Sequence, residues 1–316
     1  MARSRIYFIT DVHGSSKCFR KFLNAAKFYK ADVLILGGDI TGKVMTPIVE
    51  SEGRFACSYQ GAELTMTSRE EVEEFRKKAA ESGTYTQMVS PQEFKELEAD
   101  PAKVKALFAR LMVERVREWM ALAEERLGKT SVKCYISPGN DDIYEIDSAL
   151  NSSSYVVNPE ERVVEIDGEH EMITSGTTNR TPWNSPREVD EDVLAKKISD
   201  MADRVRNMKS AVFNIHVPPI DTPIDKAPRI DKNLRIVVKA GNVEMISAGS
   251  SACRAAIMKY QPALGLHGHI HESRGIVKLG RTLCANPGSE YTEGILRGFL
   301  ADLDGDKVKS FLLTSG

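Results

Sequence analysis

The most constraining feature of this sequence is a set of short motifs that combine histidine, aspartate or asparagine with glycine, each just after a short apolar run. Five of the six histidines belong to these motifs. Imidazole nitrogen together with carboxylate oxygen is a ligand combination that borderline divalent metals accept. The sequence therefore predicts a polynuclear metal site built from residues 11–14 (DVHG), 37–39 (GGD), 139–142 (GNDD), 214–216 (NIH) and 267–271 (HGHIH).

The apolar runs that precede these motifs indicate an α/β fold. Residues 6–9 and 33–36 predict buried strands, and the segment between them carries apolar residues at helical spacing. A strand, a helix and a second strand in this order form a βαβ unit, so the sheet is expected to begin parallel. Ligands bind at the carboxyl ends of strands in such sheets, where residues distant in the chain converge.

Residues 43–100 interrupt this alternation. Three short strands and a highly charged helix are predicted there, with turns at Gly53 and Gly61. We interpret 43–100 as a small α+β insertion, a cap-like subdomain within a single domain that spans residues 1–316. Because it directly follows Asp39, it is placed either to roof the predicted site or to form a contact between two copies of the chain.

Later segments carry more specific expectations. Residues 101–127 predict a long helix whose single apolar stripe packs into the core. Residues 189–208 also predict a helix. His170 lies in a predicted hairpin beside Glu169 and Glu171, and we expect it on the surface.

Composition excludes several classes of protein. The net charge of −2 and pI of about 6.4 give no electrostatic footprint for non-specific binding to nucleic acid or membranes. Five widely spaced cysteines without a C-x-x-C pair disfavour a disulfide framework and a thiolate zinc site, and fit a reducing cytoplasm. No run approaches the ~18–20 apolar residues of a membrane helix. We expect a cytoplasmic protein that acts on a small molecule, with nucleic acid an unlikely partner.

The motif residues suit a pair of divalent ions. Two ions roughly 3.5–4 Å apart need a bridging ligand, and Asp39 is the best candidate because the two glycines before it let the backbone approach closely. A site with mixed nitrogen and oxygen ligands can lower the pKa of a shared water toward ~7 and neutralise phosphoryl charge, which suits phosphate ester hydrolysis. The remaining candidate ligands are Asp11, His13, Asn140, His216, His269 and His271.

The order of these motifs, D-x-H, G-D, G-N-x-D, H and G-H-x-H, resembles the signature of the calcineurin-like metallophosphoesterases. The resemblance implies an α/β fold, a four-layer α/β/β/α sandwich of two mixed sheets flanked by helices, with two divalent metal ions at one end of the sheets. It also implies that a metal-bridging hydroxide attacks phosphorus in line. Ligand chemistry of this kind accepts Mn, Fe, Zn, Co or Ni.

Carried over by matching position, the resemblance assigns each ligand. Asp11, His13 and His271 would hold the first ion, and Asp39 would bridge. The second ion would be held by Asn140, His216 and His269, of which Asn140 and His216 also count as catalytic residues.

The chain departs from the family at one catalytic position. Many members have histidine after the motif asparagine, where it assists the leaving group, but this chain has Asp141. The general acid is therefore Asp141, His267 or neither, and we expect a preference for leaving groups of low pKa. Asp142 is expected to orient a ligand or to fix its loop.

The sequence is compatible with several classes of substrate. In the loop of residues 177–183, Arg180 could pair with phosphate and Trp183 could stack on a ring; alternatively the loop is solvated and Trp183 is anchored in the core. A phosphodiester substrate is favoured. The alternatives are a phosphomonoesterase, a nucleotide pyrophosphatase, or a weakly catalytic binding scaffold on the same fold.

Overall fold

The computed structural model describes residues 3–239 and 241–316, which contain two central β-sheets, smaller sheets and seven α-helices. The helices are α1 (Ser16–Phe28), α2 (Arg69–Glu81), α3 (Pro91–Ala99), α4 (Pro101–Leu127), α5 (Asp147–Leu150), α6 (Glu191–Ala202) and α7 (Ser251–Tyr260).

The strands follow in the same chain order. They are β1 (Arg3–Ile9), β2 (Val33–Gly37), β3 (Val44–Ser51), β4 (Arg54–Tyr59), β5 (Ala62–Met66), β6 (Thr84–Val89), β7 (Lys133–Ser137), β8 (Val163–Glu165), β9 (Glu171–Ser175), β10 (Thr178–Asn179), β11 (Glu188–Val189), β12 (Val212–Ile215), β13 (Lys226–Pro228), β14 (Val238–Lys239), β15 (Asn242–Val243), β16 (Met245–Ser247), β17 (Leu264–Leu266), β18 (Gly275–Leu279), β19 (Thr282–Asn286), β20 (Arg297–Asp304) and β21 (Lys307–Ser315).

Both central sheets are mixed. The first has the order β21-β20-β1-β2-β7, in which β1, β2 and β7 are parallel, β20 is antiparallel to β1, and β21 is antiparallel to β20. The second has the order β18-β19-β17-β12-β9-β8, in which the four inner strands are parallel and both edge strands are antiparallel. The predicted βαβ start is confirmed by β1, α1 and β2.

Three apolar layers explain how the sheets stack. Alternate residues of β1, Ile6 and Phe8, pack between the two sheets against Val212 and Leu264 of the second sheet. The opposite face of the first sheet packs on α1 and α4, and the opposite face of the second sheet packs on α6 and α7. Since strand side chains alternate between faces, each sheet buries both of its faces. The predicted four-layer α/β/β/α sandwich is confirmed.

Residues 44–89 form a sheet of their own, with the order β5-β4-β3-β6. Helix α2 covers it over a small core that includes Ile48, Phe55, Val72 and Phe75. The three predicted strands and the charged helix are present, whereas β6 and α3 went unpredicted. Strand β6 pairs in parallel with β3 across a long connection, a non-local contact that local patterns do not encode.

Local sequence signals fix the helix ends. Asp100 caps α4 through its side chain and Pro101 occupies the first turn, so the predicted helix over residues 101–127 is confirmed. The helix predicted over 189–208 is shorter, because α6 ends at Ala202. Beyond it, the Arg206 backbone N–H and guanidinium donate to Glu171, and this pairing holds the chain out of helical conformation.

The prediction that His170 lies on the surface is wrong, because its side chain is fully buried. The ring lies 2.7 Å from Asp167 through Nδ1 and 2.7 Å from the Gly305 carbonyl oxygen through Nε2. The flanking glutamates suggested exposure, but the hairpin folds against the β20–β21 turn and encloses the ring. Within the described residues, none of the helices combines the length and the apolar content that a bilayer crossing requires.

Candidate metal centre

Five loops carry the candidate ligands, and each loop follows the carboxyl end of a strand. Strands β1, β2 and β7 of the first sheet lead into Asp11, Asp39 and Asn140, whereas β12 and β17 of the second sheet lead into His216 and the 267–271 motif. The sandwich therefore brings both sheets' loops to one end. Asp11, His13, Asp39, Asn140 and His216 are each at most 2% exposed.

Four of the candidate ligand residues have left-handed backbone conformations. Their φ angles are 53° at Asp11, 39° at His13, 51° at Asp39 and 66° at His269. Non-glycine residues adopt this region at a cost of about 1–3 kcal/mol each, and such residues cluster at functional sites. Hydrogen bonds hold the loops in place: the backbone N–H of His13 donates to the Asp39 carbonyl oxygen at 3.0 Å.

Two glycines permit the ligand side chains to pack this closely. A Cβ on Gly38 would lie 2.4 Å from Nδ1 of His216, and Gly38 has φ of 118°. A Cβ on Gly139 would lie 2.2 Å from Oδ1 of Asp39. Any side chain at either position would displace a candidate ligand, which explains glycine in both motifs.

Among the described residues, three groups of side chains place their ligand atoms within 4.8 Å of one another. His13 and His271 approach Nε2 to Nε2 at 3.0 Å, and Oδ1 of Asp11 lies 3.3 Å from Nε2 of His271. Oδ1 of Asp39 lies 3.4 Å from Nε2 of His216. The groups are Asp11, His13 and His271; Asp39, His216 and His269; and His13, Asp39 and Asp141.

Three buried ligand atoms have no hydrogen-bond partner within the described parts of the chain. They are Oδ1 of Asp11, Oδ1 of Asn140 and Nε2 of His216. Buried polar atoms are nearly always satisfied, so unpartnered ones that converge require an explanation. The donor set of imidazole nitrogen, carboxylate oxygen and amide oxygen fits divalent metal ions, which would satisfy all three atoms.

The electrostatics of the cluster also favour a cation. Burial lowers the pKa of His216, but Asp39 and Asp11 outweigh burial and raise this pKa to about 10. Burial raises the pKa of Asp39, yet the neighbouring His216 and His13 bring it well below its usual value. The carboxylates thus hold their charge in a buried site and stabilise positive charge beside them.

Asp142 ties two of the ligand loops together. Its carboxylate accepts hydrogen bonds from the backbone N–H groups of Ile40 (3.0 Å), Thr41 (2.8 Å) and Gly139 (2.8 Å), and from the Thr41 hydroxyl (2.5 Å). Burial and the charge of Asp39 raise the pKa of Asp142 to about 6 against these hydrogen bonds. Of the two expected roles, these contacts correspond to fixing the loop.

Asp141 faces the edge of the cluster and is 21% exposed. Its carboxylate lies 2.5 Å from Nζ of Lys43 and accepts a hydrogen bond from Oγ of Ser185 at 2.6 Å. Its backbone N–H donates to Oδ1 of Asp39 at 3.0 Å. Both oxygens of Asp141 are therefore engaged by other side chains.

The structure does not bring His267 into any of the three groups. Its ring is fully buried, Nδ1 lies 2.8 Å from the Ile215 carbonyl oxygen, and Nε2 is 2.8 Å from where a Cβ on Gly265 would lie. Burial lowers the pKa of His267 to about 4. The ring therefore contacts the end of strand β12, directly before His216.

Arg180 and Trp183 lie on an exposed loop. Nε of Arg180 pairs with Asp190 at 2.8 Å, and Trp183 is 59% exposed, so it is not anchored in the core. Ser185 of the same loop reaches Asp141 instead. The sequence analysis did not single out Ser185, Lys43 or Tyr291, whose ring lies 4.8 Å from that of His13. Of these three, only Lys43 had a signal in the sequence, because it stands four residues after Asp39.

Comparison with known proteins supports the fold. No family model matches the sequence. An uncharacterised protein of Methanocaldococcus jannaschii is 31% identical over 152 residues, which cover 48% of this chain and 61% of that protein, less than two thirds of its length. One solved crystal structure has a TM-score of 0.59 at 16% identity and covers 99% of each chain. The crystal structure of TT1561 of Thermus thermophilus has a TM-score of 0.54 at 15% identity, covering 100% of this chain and 99% of that one.

The fold is thus shared with solved proteins over the whole chain, while sequence identity is low. The motif residues that the sequence singled out converge at one end of this fold. These are the residues whose order in the sequence resembles the calcineurin-like metallophosphoesterase signature.

Proposed function

We propose that this protein is a metal-dependent phosphoester hydrolase that acts on a small-molecule phosphodiester. The observation that carries the proposal is the convergence of buried ligand atoms, three of which have no hydrogen-bond partner among the described residues. A protein that binds no metal has no need of such a cluster, because each buried carboxylate without a compensating positive charge destabilises the fold.

The proposed ligand assignment follows the side-chain groups. Asp11, His13 and His271 form one group, and Asp39, His216 and His269 form the other. Asn140, whose buried Oδ1 is unpartnered, joins the second group, and Asp39 serves both. Two divalent ions bound there, of Mn, Fe, Zn, Co or Ni, would supply Lewis acidity toward the phosphoryl oxygens and a water of lowered pKa as the nucleophile for in-line attack.

The chain's own residues orient and shield this chemistry. Asp142 fixes the loops that carry Asp39 and Asn140, and the glycines at 38 and 139 keep the ligand side chains in close contact. Asp141 is engaged by Lys43 and Ser185, and His267 lies outside the ligand groups. We therefore propose that neither one donates a proton to the leaving group.

The first experiment compares bis(p-nitrophenyl) phosphate with p-nitrophenyl phosphate after chelation and re-addition of Mn²⁺. We expect metal-restored turnover that favours the diester and is lost in Asp39→Ala, because Asp39 is shared by two ligand groups. Asp192→Ala removes an exposed carboxylate from α6 and is the matched control. Undiminished turnover in Asp39→Ala would contradict the proposal.

The outcome also separates the alternatives. A preference for the monoester would indicate a phosphomonoesterase. Cleavage of a dinucleotide polyphosphate, without cleavage of either aryl ester, would indicate a nucleotide pyrophosphatase. Two bound ions without turnover of any of these would indicate a binding scaffold on the same fold.

A second experiment tests the lack of a general acid. Methyl phosphodiesters with p-nitrophenyl, phenyl and alkyl leaving groups are compared at constant pH and metal concentration. We expect kcat to fall steeply as the pKa of the leaving group rises, because no side chain donates a proton to it. Equal rates for aryl and alkyl leaving groups would show that a general acid acts.

We further propose a cytoplasmic location. All five cysteines are buried and free, and burial raises the pKa of the Cys134 and Cys284 thiols to about 12. Free thiols persist in a reducing compartment.

A further inference from the structure

A cavity of about 430 Å³ lies between the inserted sheet and the candidate metal centre. We call it the insertion pocket. Its walls are the start of β3, the β4–β5 turn, residues 82–84, and Tyr291 with Thr292. Volumes in this range are typical of sites for small molecules.

The insertion pocket and the metal centre share a wall. The Tyr291 ring, which lines the pocket, lies 4.8 Å from the His13 ring and 6.1 Å from the His271 ring, centroid to centroid. Lys43, also in the lining, pairs with Asp141, and its positive charge lowers the pKa values of His13 and Asp39. Residues of the pocket lining are therefore in direct contact with the candidate metal centre.

Most side chains of the lining are polar, and Val44 and Met45 add an apolar part to it. Lys43 carries the only charge among the described residues that line the pocket. The rest of the wall offers the hydroxyl groups of Ser58, Ser82 and Thr84, the amide of Gln60 and the ring of Tyr59. Such a surface suits an uncharged, hydroxyl-rich group that carries a phosphoryl group at its Lys43 end.

Several contacts fix the pocket wall to the metal centre. The hydroxyl of Tyr85 on β6 accepts a hydrogen bond from the Gly42 backbone N–H at 3.1 Å, and Tyr59 contacts Ser82 at 2.9 Å. A Cβ on Gly83 would lie 2.1 Å from the carbonyl oxygen of His13. The pocket wall thus packs directly against the loop that carries His13, and its position is fixed before a ligand binds.

We propose that the insertion supplies the substrate-binding pocket: the hydroxyl-rich alcohol group of the phosphoester occupies the insertion pocket, and Lys43 contacts the phosphoryl group. The proposal rests on the proposed phosphoesterase function and extends it to a substrate class. Asp141 positions Lys43, whose side chain is 47% exposed and faces the shared wall. Sugar phosphates and nucleotides both present this chemistry.

The test measures binding by calorimetry, so that it does not depend on turnover. Mn²⁺-loaded protein is titrated with inorganic phosphate, ribose 5-phosphate and adenosine 5′-monophosphate, and chromatography checks that the esters stay intact. We expect at least one ester to bind at least about tenfold more tightly than phosphate, since the pocket adds polar contacts. If both esters bind tightly, the pocket recognises the sugar. If only the nucleotide binds tightly, the pocket recognises the whole nucleoside. Equal affinity for all three overturns the proposal.

Two variants localise the effect to the pocket. Ser58→Phe places a ring inside the pocket and is expected to reduce the preference for the ester over phosphate about tenfold. Ala56→Phe is the matched control, because Ala56 is exposed on the same face of β4 but does not line the pocket. An unchanged preference in Ser58→Phe, or an equal loss in both variants, overturns the pocket assignment.

The role of Lys43 is tested separately. Lys43→Met is expected to weaken phosphate and ester binding alike by about tenfold or more, and Lys43→Arg to restore most of it, because the contact is with a charged phosphoryl group. Full affinity in Lys43→Met overturns this contact. Failure of the phosphoesterase function is a distinct result: the expected binding pattern with no turnover of any ester contradicts hydrolysis but not the pocket.

Discussion

At the level of single residues, the site depends on charges held where water cannot reach them. Asp11 and Asp39 are almost fully buried, and histidine nitrogens surround both carboxylates. Their charge is compensated either by protons on the histidines or by a bound cation. Both carboxylates stabilise positive charge on His216 and thereby raise its pKa to about 10.

Asp142 provides a residue-scale prediction about positioning. Asp142→Asn keeps the shape of the side chain but replaces one acceptor oxygen with an NH₂ group, which then faces backbone N–H donors. We expect the free energy of unfolding to fall by about 1–3 kcal/mol and Mn²⁺ affinity to fall about 10–100-fold. Denaturation and metal titration measure the two effects, with exposed Asp192→Asn as the control. Wild-type metal affinity in Asp142→Asn would show that the loop contacts do not position the ligands.

The pair of buried His170 and half-buried Asp167 gives a prediction about pH. Burial lowers the pKa of His170, but the hydrogen bond to Asp167 outweighs it, so the pKa in the folded state is raised above the unfolded value. The stabilisation is therefore complete below about pH 6.5 and is lost as pH rises through the folded-state pKa. The pKa of Asp167 is lowered, so its contribution is lost only at acid pH.

We expect wild-type protein to lose its stability advantage over His170→Gln as pH rises above about 6.5. Urea denaturation in the presence of a chelator measures this difference, and titration of the metal ligands cancels between the two proteins. A difference in unfolding free energy that stays constant over this range would mean that the pKa of His170 is the same in the folded and unfolded protein.

At the level of elements, helix α4 follows the insertion in the chain and packs against the first sheet. Its apolar stripe includes Met112, Val116 and Trp119, which pack in the core over the first sheet. The Trp119 ring stacks on Phe19 of α1, with centroids 4.2 Å apart and planes at 6°. The two helices therefore share one packed surface.

We expect Trp119→Ala to lower the free energy of unfolding by about 3–5 kcal/mol, because it removes a large buried ring and leaves a cavity against Phe19. Urea denaturation measures the loss. Arg117→Ala, an exposed position on the same helix, is the control and is expected to change stability by less than about 0.5 kcal/mol. Similar small effects for both variants would show that the stacked rings contribute little.

At the level of the whole molecule, the ligand loops come from both central sheets. Asp11, Asp39 and Asn140 follow strands of the first sheet, and His216 and His269 follow strands of the second. Ions bound there would join the two halves of the sandwich. Metal binding should therefore stabilise the entire fold and not one loop.

We expect chelation to lower the thermal midpoint and Mn²⁺ to restore it. A ligand present at 100 times its dissociation constant adds about 2.7 kcal/mol to the free energy of unfolding. Asp39→Ala, which removes the residue shared between ligand groups, should show little or no response to Mn²⁺. A wild-type midpoint that is insensitive to both chelator and Mn²⁺ would exclude a metal site that bridges the two sheets.

The sequence by itself determined the features that depend on local patterns. Apolar runs located the central strands, and motifs just after β1, β2, β7, β12 and β17 supplied the candidate ligands at the carboxyl ends of strands. The apolar stripe of residues 101–127 located helix α4. Alternation, spacing and capping are short-range properties, so they can be read from neighbouring residues.

Tertiary structure alone decided which side chains meet. The burial of His170 depends on the Gly305 carbonyl oxygen 135 positions away, and the pairing of Lys43 with Asp141 joins loops 98 residues apart. The insertion pocket likewise requires Tyr291 to approach β3 from the far end of the chain. Sheet order and the stacking of the two sheets set these contacts, and no short-range pattern in the sequence encodes them.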